Sequence, residues 1–273
     1  VRLYGEDAYA ARPQYTAPEI LRSSLAAVIL RMAALSLPDV EAFPFVEPPG
    51  PRAIADGFQL LHELGAVDGE RRLTPLGREL ARLPVDPRVG RMVLAARDRG
   101  CVAELLVIAS ALSVPDPRER PLAKQQAADQ AHLLFRDDRS DFLSLLALWQ
   151  FFEQKLGANL SHRRLVDACR ARFVSYLRLR EWRDVHAQLA GEVAEQGWKW
   201  QPTLPAAIDT AHYQSIHEAL LAGLLGNVGC LDGETEGYLG ARGIRFHVHP
   251  GSGLAKKRPR WVLAAELVET SRL

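Results

Sequence analysis

From Asp86 to about Glu195 the chain keeps a helical spacing of apolar residues, broken only at Gly100, at Pro115 to Pro121 and at Gly157 to Ser161. A stretch of that length cannot bury its apolar stripes except by packing helix on helix, so it specifies a helical bundle. Phe142, Leu145, Leu146, Trp149 and Phe152 recur on one segment, and Phe173, Tyr176, Leu177 and Leu179 on the next. Both stripes read as core, because buried faces account for most such spacings. An irregular segment follows from Gln196 to Ala211, where Trp198 and Trp200 alternate. They read as a plug at a domain junction rather than a surface for stacking bases.

The flanks differ from this bundle. Upstream, Thr16-Ala17-Pro18-Glu19 forms a capping box, and apolar residues at Ile20, Leu21, Leu25, Val28, Ile29 and Met32 predict a helix of about five turns. A second helix carries Ile54, Phe58, Leu61 and Leu64 and ends at Gly65, the place for a left-handed cap. Ala66 to Leu73 is expected to form a small hairpin around Asp68-Gly69, and Thr74-Pro75 to start another helix with proline in its first turn. Helices followed by such a wing make a winged-helix module. Downstream, a helix from Tyr213 to about Gly226 leads into short strands that read as a small β-barrel, cut short. The expected fold is therefore mainly α with a C-terminal β part.

Charge is uneven along a chain whose net charge is only +1. Ala241 to Arg260 holds six Arg or Lys and no acidic residue, spread over an alternating run, a Pro-Gly-Ser-Gly turn, a basic loop and a second apolar run. The pattern predicts two strands joined by a cationic loop, suited to a polyanionic backbone; the competing reading is a solvated loop. A second excess lies between Arg163 and Arg183, where seven arginines face Asp167 and Glu181.

Other chemistry is not legible. Gly251 to Lys257 has the wrong spacing for a phosphate-cradling loop and lacks a Ser or Thr after the lysine. His247 and His249 are expected to share one strand face, but no third ligand lies nearby, so no metal site is assigned. No catalytic residue is assigned either. The cysteines Cys101, Cys169 and Cys230 are odd in number and far apart, which predicts reduced thiols in a cytoplasmic protein. No secretory signal or membrane span is expected. The start on Val1 and the close on a strand-like run are read as a piece of a longer chain.

Several stretches then carry a resemblance in one order. Arg2-Leu3-Tyr4 resembles the tail of the last motor motif of DEAH-box helicases, and Thr16 to Arg22 the start of their winged helix. Leu73 to Gly77 with Leu83 to Arg88 is similar to the join with their helical ratchet, and Ser110 to Ser113 and Asp141 to Leu143 to ratchet positions. His249-Pro250-Gly251-Ser252 and Trp261-Val262 with Glu266 to Arg272 resemble their OB-fold, with Gly251 standing where the family has serine. The wording from Asp116 to Ala127 is most similar to bacterial HrpA-type RNA helicases.

The resemblance implies the tail of a second RecA-like domain at 1–15, a winged helix at 16–84, a ratchet at 85–205 and an incomplete OB-fold at 206–273. It implies an ATP-dependent RNA helicase moving 3′ to 5′, whose RecA-like motor domains, with their ATP and Mg²⁺, are absent here. This piece, expected to be a monomer without activity of its own, would guide single-stranded RNA and dock on those motor domains. The residues expected on RNA are Arg180 and Arg183 of the ratchet and Arg242, Arg245, His247, His249, Ser252, Lys256, Lys257 and Arg258 of the OB-fold. Two other classes remain open. One is a winged-helix DNA-binding regulator, disfavoured because Arg52 is outweighed by Asp56 and Glu63 on the would-be recognition helix; the other is a protein-interaction scaffold.

Overall fold

The computed structural model describes residue 5 and residues 24–158, 160–233 and 237–268. It contains two compact units, Val1–Arg82 and Leu83–Leu273. The capping box at Thr16 to Glu19, the motor-motif tail at Arg2 to Tyr4 and the final Glu269 to Arg272 lie outside the described residues.

In the first unit, α1 (Ala26–Ala34) buries Ala26, Ile29, Leu30 and Met32 against α2 (Pro51–Glu63). Gly57 permits that approach, since a Cβ there would stand 2.8 Å from Ile29 Cδ1. The helix α2 ends as its spacing predicts, with Gly65 left-handed at φ 74°. The short helix α3 (Pro75–Leu80) starts at Thr74, whose hydroxyl accepts the Gly77 N–H at 2.9 Å and donates to Gly65 C=O at 2.7 Å. The expected hairpin is reduced to one bridge, Val67 with Leu73. Its turn is also not the Asp-Gly turn anticipated: the left-handed residue is Arg71, at φ 63°. The Asp68 carboxylate accepts from the N–H groups of Glu70 and Arg72, and this side-chain turn sets the backbone where glycine had been expected to.

The second unit is built on helices, all of which except Gln125–His132 contribute to one core. They are α4 (Pro87–Arg99), α5 (Val102–Leu112), α6 (Gln125–His132), α7 (Asp141–Gly157), α8 (His162–Arg170), α9 (Tyr176–Glu195) and α10 (Thr210–Leu224). Asp86 caps α4 by accepting the Arg88 N–H at 2.9 Å, Pro87 occupies its first turn, and Gly100 ends it at φ 67°. Buried from Val102 to Ala111, α5 is the centre about which α4, α7, α9 and α10 pack. The Trp182 indole N–H of α9 donates to Val107 C=O and to Ser110 Oγ, both at 2.9 Å, so the polar edge of a fully buried ring is satisfied. At Gly223, α10 crosses α4 so closely that an added Cβ would strike Arg88 C=O.

Two members of the expected stripes are not core. Phe173 lies in the turn between α8 and α9 with a left-handed backbone, and Leu177 is 62% exposed on the first turn of α9. The helix begins only at Tyr176, so Phe173 never joins its face. Trp198 and Trp200 pack on the helical core, and the Arg97 guanidinium lies 4.8 Å from the Trp198 ring centre. They plug an edge within this unit.

The strands β1 (Val228–Leu231), β2 (Tyr238–Gly240), β3 (Arg245–Phe246) and β4 (Trp261–Leu263) form an antiparallel sheet in the order β3-β2-β1-β4. The runs on either side of the basic loop therefore do not pair with each other, contrary to the simple reading of two joined strands. They occupy opposite edges, because β2 and β1 take the two central places. One face is buried: Tyr238 and Val262 are 3% and 6% exposed, and the Phe246 ring covers Gly229, where a Cβ would meet Phe246 Cζ at 2.5 Å. The Tyr238 hydroxyl donates to Pro259 C=O at 2.9 Å and ties the strands to the chain entering β4.

Candidate nucleic-acid interface

The basic loop is a seated structure. Gly253 N–H donates to Asp141 Oδ1 at 2.9 Å, and Lys257 Nζ donates to Asp138 C=O at 2.8 Å. Within the loop, Ser252 N–H reaches His249 C=O, Leu254 N–H reaches Ser252 Oγ at 3.1 Å, and Gly251 N–H reaches His249 Nδ1 at 3.0 Å. Only glycine fits at 253, since a Cβ would stand 2.9 Å from Asp137 C=O.

The seat is rigid in its own right. Asp137 accepts from Arg139 and Ser140 N–H, and Ser144 Oγ accepts the Asp137 N–H at 2.9 Å. Burial pushes the Asp137 carboxyl up, but the hydrogen bonds from Arg139 and Ser140 outweigh it and hold the group below its usual range. His217 Nδ1 faces Tyr213 C=O at 2.7 Å, which fixes the hydrogen on that nitrogen, so Nε2 accepts from Ser140 Oγ at 2.7 Å. Desolvation pushes His217 downward, keeping it neutral in this role. This Ser-His contact was not visible in the sequence. With Ser140 buried, it orders the start of α7.

The predicted residues separate by what they already touch. Lys256 and Arg258 are exposed and form no ion pair among the described residues, and Arg260 is alike. Arg258 is held left-handed at φ 45°. Lys257 is committed to the seat, and Arg245 Nη2 lies 3.6 Å from Asp232. Arg242 sits at φ 58° in the tight turn between β2 and β3. His247 and His249 are exposed but do not share a strand face, because β3 ends at Phe246. On α9, Arg180 is exposed without an ion pair among the described residues, and Arg183 lies 3.8 Å from Glu153 of α7. What the sequence missed is the seat itself, Asp138 and Asp141, and an exposed Trp261; only the fold brings residues 112 positions apart together.

Family models for the helicase associated domain (HA2) match its winged-helix part at residues 58–85 and its ratchet-like part at 86–145, and one for the oligonucleotide/oligosaccharide-binding (OB) fold matches 216–273. Residues 58–145 and 216–273 thus match the helicase-associated winged-helix, ratchet and OB-fold families, in that order. It is 51% identical over its full length to ATP-dependent RNA helicase HrpA of Escherichia coli, and 50% identical to the HrpA homolog of Haemophilus influenzae. It is also 31% identical, over 99% of its length, to human probable ATP-dependent RNA helicase DHX35. The chain spans 21% of the length of the two bacterial relatives and 37% of the human one.

Proposed function

We propose that this chain is the RNA-guiding accessory region of an ATP-dependent RNA helicase of the HrpA type, divided at 16–84, 85–205 and 206–273 into winged helix, ratchet and OB-fold. The observation that carries the reading is the seated OB loop, held on Asp141 by its Gly253 N–H and on Asp138 by its Lys257 side chain, with Lys256, Arg258 and Arg260 turned to solvent. Cations held on a rigid loop lose little freedom on meeting phosphates, and contacts of this kind position a strand without reading its sequence.

Among the described residues no three His, Cys, Asp or Glu side chains are grouped as a metal site, and the sequence offers no phosphate loop. In this reading ATP and Mg²⁺ belong to the motor domains, which would drive 3′-to-5′ movement while this region closes over single-stranded RNA. No helix among the described residues is long and apolar enough to cross a membrane.

Fluorescence anisotropy with unstructured RNA over a salt series tests the reading. Three exposed cations on phosphate give a log-log slope of about 2 in magnitude, at roughly 0.7 per phosphate. Neutralising Lys256 and Arg258 together should weaken binding to every RNA sequence alike and lower the slope by about 1.4. A flat slope, or no binding, would leave the chain as a protein-interaction scaffold, and tighter binding to one duplex DNA sequence would favour a winged-helix regulator.

A further inference from the structure

Between Ser161 and Arg180 the chain holds six arginines against one acidic residue, Asp167, a second concentration of positive charge that the basic loop leaves unexplained. Arg163, Arg164 and Arg170 lie on α8 and Arg172 in the turn after it; all four are exposed, and none forms an ion pair among the described residues. The preceding segment behaves otherwise. All four arginines from Asp116 to Arg139 meet an aspartate: Arg118 with Asp116, Arg120 with Asp129, Arg136 with Asp138 and Arg139 with Asp137, at 2.6 to 3.3 Å.

The helix holds these cations outward. Leu165 and Cys169 are buried and fasten one side of α8 to the core. At roughly 100° per residue, Arg163 and Arg170 fall within about 20° of each other on the opposite side, about 10.5 Å apart along the axis, with Asp167 between them. Asp167 is four residues from Arg163 and three from Arg170, yet it forms no ion pair with either among the described residues. Arg163 and Arg164 stand in a first turn that has no acidic residue, where the helix dipole disfavours cations, so helix stability does not explain them. The basic loop rests on the first turn of α7, whereas α8 follows its last, about 24 Å further along at 1.5 Å per residue.

We propose that the exposed face of α8 is a docking surface for double-stranded RNA, held by arginine–phosphate contacts apart from the basic loop. This rests on the RNA reading above and adds a paired segment of RNA to the single strand assigned to the loop. The chemistry of the cations selects phosphate: all four are arginine, whose planar fork meets two phosphate oxygens at once. What the face lacks selects the duplex. Surfaces for single strands add aromatic rings on which bases stack, and from Arg163 to Arg172 there is no aromatic side chain. Paired bases need none, since a duplex of A form is held by its shape and its backbone.

The test is fluorescence anisotropy of this chain with a blunt-ended RNA duplex of about 16 base pairs, and beside it an unstructured single strand, each over a salt series. Three or four arginines on the duplex give a log-log slope of about 3 in magnitude, at roughly the 0.9 per phosphate of duplex DNA. Arg163→Gln together with Arg170→Gln should lower that slope by about 1.8 and weaken duplex binding at every sequence, with single-strand affinity kept within about twofold. Lys256→Gln together with Arg258→Gln should do the reverse. Asp167→Asn removes the one anion of the face and should tighten duplex binding about two- to fivefold. Circular dichroism checks the fold of each variant; should the arginine pair unfold, Asp167→Asn still decides, because that carboxylate has no ion-pair partner to lose among the described residues.

Absence of duplex binding, or an α8 variant that loses duplex and single strand alike, would overturn the docking surface while the reading of the loop stood. Duplex binding that follows Lys256 and Arg258 rather than α8, or that ignores Asp167→Asn, would overturn it as well. Failure of both RNAs to bind would overturn the RNA reading and this surface with it. A folded arginine variant with unchanged duplex binding but weaker association with the remainder of the helicase would overturn the surface and make α8 a protein contact.

Discussion

The Gly253 N–H of the OB loop donates to the Asp141 carboxylate, 112 positions earlier in the chain, at 2.9 Å. A backbone amide on a charged acceptor makes a strong hydrogen bond, and here it sets the path of the whole loop. Gly253→Ala should displace the loop, because the added Cβ would sit 2.9 Å from Asp137 C=O and 3.5 Å from Asp141 Oδ1. The expected cost is about 1–2 kcal/mol in urea unfolding, with weaker RNA binding as Lys256 and Arg258 lose their fixed positions. Asp141→Asn keeps the acceptor oxygen and should cost less than half as much.

Gly223→Ala should be among the most damaging single-methyl changes, at about 2–3 kcal/mol, because its Cβ would meet Arg88 C=O and, at 2.6 Å, Met92 Cγ where α10 crosses α4. Gly191→Ala supplies the contrast. Nothing lies within 4 Å of a Cβ at that interior position of α9, so the change should stabilise by about 0.5–1 kcal/mol through helix propensity alone. Thermal unfolding of the two variants beside the parent reads both signs at once.

Acid should destabilise the second unit through His186. Burial against Trp149, 4.6 Å between ring centres, lowers its pKa from 6.5 to about 4. The unfolded chain takes up the proton first, so this contribution is fully present above pH 6.5, is lost as pH falls through the window down to about 4, and does not change further below it. The loss is expected to be about 2 kcal/mol, after discounting for the part of the ring that water still screens. His186→Phe should flatten that part of the stability–pH curve in chemical denaturation. An unchanged slope would show that the ring protonates freely in the folded state.

Thiol chemistry should divide the three cysteines. Burial, with the Glu104 carboxylate adding to it, pushes Cys101 up to about 12, and burial alone raises Cys169. Both should resist alkylation at pH 8 until the protein unfolds, whereas half-buried Cys230 should react in the native state. Mass spectrometry after brief labelling should find one modified thiol per chain, at Cys230.

Local signals were read well because each is decided within a few residues. Asp86-Pro87 opens α4, Thr74-Pro75 opens α3, and Gly65 and Gly100 end their helices with the left-handed backbone that glycine adopts without steric cost. The reading failed where two local solutions compete. At the wing, the Asp68 side chain satisfied the turn's amides and moved the left-handed residue to Arg71. At Phe173, a helix break moved an apolar residue off the stripe it had seemed to join.

By itself the sequence determined the helical bundle, the caps that bound its helices, the concentration of positive charge from 241 to 260 and a likeness to helicase accessory regions spread along the chain. These depend on period, composition and short-range hydrogen bonding, all of which are written in neighbouring residues. Only the tertiary structure decided that β3 and β4 stand at opposite edges of the sheet, that the loop between them rests on Asp138 and Asp141, and that Trp261 falls in line with Cys230, Leu239 and Arg245. Strand order and register are set by which faces find a partner to bury against. A one-residue slip would have turned Trp261 inward and Val262 out without altering any local preference.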